Sequence, residues 1–104
     1  MKLIKYSGEQ VAEKLAELNF ADEVLWCLED HKLTKTFQFK DFQTAFGFMS
    51  MTAIYCEKID HHPDWRNNYN KVTIKLFTYD VDGISYKDFK LGEKMDEIAS
   101  CLEI

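Results

Sequence analysis

The sequence predicts an α+β domain: a four-stranded antiparallel sheet with three helices packed on one face, in the order α-β-β-α-β-β-α. Three observations predict it. Two pairs of segments alternate apolar and polar residues, each pair joined by a short polar break, which is the pattern of hairpins. Between the pairs lies a long segment from Phe42 to Cys56 that is rich in apolar residues and does not alternate, as a buried helix requires. Both ends of the chain carry apolar residues at helical spacing. The 104 residues suit one domain spanning 1–104, without repeats, linkers or low-complexity segments.

The first helix starts at Ser7, whose hydroxyl and Gln10 three residues on form a capping box. Val11, Leu15 and Leu18 supply its apolar stripe, and it should end near Asn19. Val24 to Glu29 alternates as a first strand, Asp30-His31-Lys32 turns, and Leu33 to Phe39 returns as a second. Asp41 can cap the central helix. Phe42, Ala45, Phe46, Met49, Ala53 and Cys56 are its expected sheet-facing stripe. Phe48, Met51, Ile54 and Tyr55 are left for another face, which points to a contact between subunits. Trp65 to Tyr69 forms a short strand with Trp65 and Tyr69 on one face. Asn70-Lys71 turns, and Val72 to Tyr79 is the strongest strand in the chain. Asp80 to Gly83 breaks it. Ser85 and Asp88 resemble a capping box for the last helix, where Leu91, Met95, Ile98 and Leu102 form the stripe.

Composition excludes several function classes. A net charge of −5 argues against direct nucleic-acid binding, which needs a basic patch. No apolar run is long enough to span a membrane, and Met1 to Tyr6 lacks the apolar core of a signal peptide. Cys27, Cys56 and Cys101 are widely spaced and odd in number, which fits free thiols in a reducing cytoplasm.

The chemistry concentrates in Glu57-Lys58-Ile59-Asp60-His61-His62-Pro63-Asp64-Trp65. This stretch holds two of the three histidines and the one proline. Pro63 keeps His62 out of helical geometry, so the pair sits where a helix gives way to a sheet. Three readings of the pair compete. As metal ligands, adjacent histidines point in different directions, and no second ligand cluster exists elsewhere. As structural residues, they can finish a helix C-terminus, where a positive charge suits the dipole. As acid–base groups, they can move protons near neutral pH while Glu57 or Asp60 fixes a tautomer.

The segments Lys40-Asp41-Phe42, Ala45 to Met49, Glu57 to Trp65 and Tyr69 to Val72 resemble the pterin-4a-carbinolamine dehydratases, also known as dimerisation cofactors of a liver homeodomain transcription factor. Glu57, His61, His62, Pro63, Tyr69 and Asp88 occupy the family's motif positions, while Tyr79 stands where the family has a third histidine. The resemblance implies removal of water from 4a-hydroxytetrahydropterin to give quinonoid dihydropterin in tetrahydrobiopterin recycling, with no metal or organic cofactor. It implies His61, His62 and Tyr79 as the catalytic positions. Glu57, Asp60, Trp65, Thr78 and Asp88 would surround the substrate. A homodimer or homotetramer assembled through the 42–56 helix and the sheet edges is expected. Alternatives are a weakly catalytic or non-catalytic pterin-binding or interaction protein: an accessory to molybdenum-cofactor metabolism, or a transcription cofactor.

Overall fold

The structure, a computed structural model, describes residues 3–20 and 24–102. Helix α1 (Gly8–Leu18) begins as its cap dictates: the Ser7 hydroxyl accepts from the Gln10 amide, and the Gln10 side chain accepts from the Ser7 amide. Strands β1 (Cys27–Glu29) and β2 (Lys32–Gln38) form a hairpin. Its two turn residues, Asp30 and His31, take positive φ of 52° and 63°, the backbone signature of a type I′ turn. Helix α2 (Phe42–Ile59) is capped by the Asp41 carboxylate on the Thr44 amide. Thr44's hydroxyl and amide together hold the Asp41 carboxyl below its ordinary range. Strands β3 (Asp64–Asn68) and β4 (Lys71–Leu76) form the second hairpin, and helix α3 (Tyr86–Leu102) closes the chain. The sheet order is β1-β2-β4-β3, antiparallel throughout, as the element order predicts. No described helix is long and apolar enough to cross a membrane.

The register decides which side chains meet the helices. Leu33 pairs with Leu76, Lys35 with Ile74, and Phe37 with Val72, and all six are buried. Trp65 pairs with Ile74 and shares that face. Phe48 enters from α2, its ring centroid 4.8 Å from Phe37 and 5.0 Å from Phe39. From α3 come Leu91, Met95 and Ile98, as the stripe predicts. Removing the buried Phe48 ring would cost about 3–5 kcal/mol, the scale of aromatic-to-alanine changes in a core.

Four expectations need correction. The α2 stripe is rotated: Ala45, Phe48, Thr52 and Cys56 are buried, whereas Phe42, Phe46 and Ala53 face outward with Met51 and Ile54. A threonine inside the buried stripe hid its true phase. The first strand starts at Cys27 rather than Val24, because the Asn19 amide takes both the N–H and the C=O of Trp26. Tyr69 lies in the β3–β4 turn at φ 54°, outside β3, so the turn is Tyr69-Asn70 rather than Asn70-Lys71. Strand β4 ends at Leu76 rather than Tyr79, because Thr78 exchanges backbone hydrogen bonds with Gly83 and closes a loop containing a short 3-10 turn, Tyr79–Val81.

One inward position carries a charge. Lys35 lies among the apolar residues of β2, its Nζ 2.7 Å from Asp96 Oδ1 and 4.8 Å from the Phe37 ring centroid. The Trp26 indole N–H donates to the other Asp96 oxygen at 3.0 Å, so the buried lysine is bound into a hydrogen-bonded group.

Candidate functional site: a histidine pair at the end of α2

Asp60 ends α2 in a left-handed conformation, φ 52° and ψ 48°. The Cys56 carbonyl accepts the amides of both Asp60 and His61, which fixes the reversal of the chain. Pro63 then prevents a return to helix, and β3 begins at Asp64. The reversal sends the two imidazoles to different environments.

His61 turns inward and is 8% exposed. Its Nε2 lies 2.7 Å from Oδ1 of Asp88, a residue with no exposed surface on the first turn of α3. The other oxygen of Asp88 accepts the Thr78 hydroxyl at 2.6 Å and the Ser85 amide at 3.0 Å. The hydroxyls of Thr78 and Ser85 lie 2.8 Å apart, and Ser85 Oγ accepts the Lys87 amide. The Ser85–Asp88 pairing read from sequence as a cap is therefore present, and it does a second job. It anchors a buried carboxylate where a helix N-terminus favours negative charge. The loop closed between Thr78 and Gly83 brings Thr78 to the same carboxylate.

His62 turns outward. Its Nε2 is 2.9 Å from Glu57 Oε2, and both side chains are exposed. Asp60 is exposed at the reversal and joins neither histidine's hydrogen bonds. Trp65 is partly buried and packs against the core from β3. Cys56, beneath the pair, is buried, and burial pushes its thiol up to about 11, so it remains a neutral thiol. Among the described residues no group of three or more His, Cys, Asp or Glu side chains could hold a metal ion.

Tyr79 goes elsewhere. It is 70% exposed, 4.9 Å from the Phe77 ring edge-on, with Lys32 Nζ 5.9 Å from its centroid. It lines an open cavity of about 780 Å³ between α1 and the end of the sheet, with Leu28, His31, Phe77 and Ile84; neither His61 nor His62 lines this cavity. The structure thus joins His61 with Asp88 and Thr78, and His62 with Glu57. Asp60 and Trp65 stand near them along the chain, and Tyr79 is the chain neighbour of Thr78, which belongs to the His61 network. Ser85 is the residue of this network that sequence reasoning treated as a cap alone. Its cap spacing to Asp88 was the available signal.

Residues 4–98 match the family model for pterin 4 alpha carbinolamine dehydratase. The chain belongs to the pterin-4a-carbinolamine dehydratase family. A relative from Prochlorococcus marinus (strain NATL2A), named for these dehydratases, is 51% identical over 73 residues, covering 70% of this chain and 77% of its own. One from Brucella ovis, named likewise, is 51% identical over 67 residues, covering 64% of this chain and 69% of its own. A solved structure titled as a transcriptional coactivator/pterin dehydratase from Brucella melitensis superposes with a TM-score of 0.84. It is 40% identical and covers 92% of this chain and 99% of that one.

Proposed function

We propose that this chain is a 4a-hydroxytetrahydropterin dehydratase, a hydro-lyase of tetrahydrobiopterin recycling that works in the cytoplasm without a cofactor. The observation that carries the reading is the unlike wiring of His61 and His62 within a family-matched chain: one imidazole is buried against a carboxylate, and its neighbour is exposed beside another. Dehydration needs two proton movements. The C4a–O bond breaks as an acid protonates the departing hydroxyl, and N5 gives up its proton as the C4a=N5 double bond forms. A pair of imidazoles serves both steps near neutral pH, and no net proton is consumed. Glu57 orients His62, while Asp88 and Thr78 act on the substrate through His61. Asp60 is free to accept a hydrogen bond from the pterin ring, and Trp65 walls the site.

The same reading includes a homodimer or homotetramer. Phe42, Phe46, Met51 and Ile54 expose apolar surface on α2, and β1 and β3 are the sheet edges. The coactivator title of the Brucella melitensis neighbour, together with that exposed surface, favours as a second reading an interaction protein that uses its oligomer face. The deciding experiment is stopped-flow mixing of the protein with freshly generated 4a-hydroxytetrahydropterin in chelator-treated buffer. The dehydratase reading expects acceleration of quinonoid dihydropterin formation over the spontaneous reaction. No acceleration would leave the interaction reading.

A further inference from the structure

The hydrogen bonds around Asp88 have a direction, and the direction fixes a proton. The Ser85 amide can only donate, and it donates to Asp88 Oδ2. The Thr78 hydroxyl spends its own proton on that oxygen, so across the 2.8 Å contact Ser85 Oγ is the donor and Thr78 Oγ1 the acceptor. Two donors already point at Oδ2, which is the hydrogen-bonding pattern of an accepting carboxylate. Its other oxygen, Oδ1, can then only accept. The proton on the 2.7 Å contact therefore belongs to His61 Nε2.

We infer that Ser85 and Thr78, acting through Asp88, hold His61 as the Nε2–H tautomer, so that Nδ1 is the nitrogen that takes and gives the proton in catalysis. Among the described residues Nδ1 has no hydrogen-bond partner, which leaves it available. Ser85 is a positioning residue here: it touches neither the imidazole nor the substrate, and it acts by orienting the Thr78 hydroxyl and anchoring Oδ2. The outward histidine has no such support. Glu57 is exposed, so the tautomer of His62 is free to exchange with water.

The catalytic half of this inference rests on the dehydratase reading; the tautomer itself does not. The test is a long-range proton–nitrogen correlation spectrum of the ¹⁵N-labelled protein at a pH where the rings are neutral. Wild type should show His61 as Nε2–H. In Asp88→Asn, the amide oxygen stays with the Ser85 N–H and the Thr78 hydroxyl, which turns the NH₂ toward His61 and forces the Nδ1–H form. Thr78→Val and Ser85→Ala should each mix the two forms, with Ser85→Thr restoring wild-type behaviour. In the dehydratase assay Ser85→Ala should lower kcat by about 10-fold, a fraction of what a positioned acid–base group supplies, with KM little changed. A wild-type spectrum showing Nδ1–H would overturn the assignment, as would an Asp88→Asn spectrum unchanged from wild type. A protein with no dehydratase activity but with the Nε2–H signature and its reversal in Asp88→Asn upholds the tautomer assignment and removes only the functional reading.

Discussion

Alanine at His61 and alanine at His62 should have very different effects on folding, although the two residues are adjacent. His61→Ala deletes the imidazole from the buried carboxylate of Asp88, which keeps only its Thr78 and Ser85 donors. A hydrogen bond to a charged buried group contributes about 1.5–3 kcal/mol. A loss of about 3 kcal/mol corresponds to a Tm lowered by about 12–24 °C in a domain of this size. His62→Ala removes an exposed contact to an exposed glutamate, which contributes about 0–1 kcal/mol, so its Tm should stay within a few degrees of wild type. His61→Gln provides a control, since its amide N–H can reach the place of Nε2 and should recover part of the stability without an acid–base group. The assay is urea and thermal denaturation of the four proteins at pH 7, followed by circular dichroism. Equal stabilities of the two alanine variants, within about 0.5 kcal/mol, would refute the buried His61–Asp88 contact as described.

Three further outcomes are expected. Thr52→Val should raise stability by about 1 kcal/mol in denaturant melts, because Thr52 Oγ1 is buried without a hydrogen-bond partner and valine has the same shape. Met51→Glu on the exposed side of α2 should lower the oligomeric state or solubility by light scattering, and a wild-type monomer at high micromolar concentration would remove the assembly proposal. Tyr79 lies apart from the pair, so its role at the third catalytic position that the family resemblance implies needs its own test: turnover of the two C4a stereoisomers should be unequal, Tyr79→His should raise the slower rate more than the faster one in single-turnover kinetics, and equal wild-type rates would remove Tyr79 from the site.

Element order and sheet arrangement were legible because they depend on period and on turn chemistry. The alternation in β2 and β4 and the capping box at Ser7 each have one local solution. The phase of α2 was not legible. Apolar residues occur around most of its circumference, and the buried stripe runs through Thr52, so counting apolar positions selected Phe42 and Phe46 over Phe48. Lys35 was not legible either: its inward position is supported by the ion pair to Asp96, 61 residues away, and no local pattern reports that. At the site, the stretch from Glu57 to Trp65 marked the place, but spacing gave both histidines equal standing. Their different surroundings arise from the left-handed Asp60, whose φ of 52° no asparagine or glycine announced, and from a carboxylate 27 residues further on. Thr78 and Asp88 stood among the expected substrate contacts; spacing did not show the hydrogen bonds that the fold gives both of them within a buried network behind His61.

On the dehydratase reading the histidine pair performs the dehydration, and His62 is the cleaner probe of the two because its removal leaves the fold alone. The measurement is kcat/KM of wild type and His62→Ala on freshly generated 4a-hydroxytetrahydropterin, at matched folded concentration. The expected loss is about 10²-fold or more, the scale of a positioned acid–base group. A His62→Ala protein with wild-type kcat/KM would contradict it.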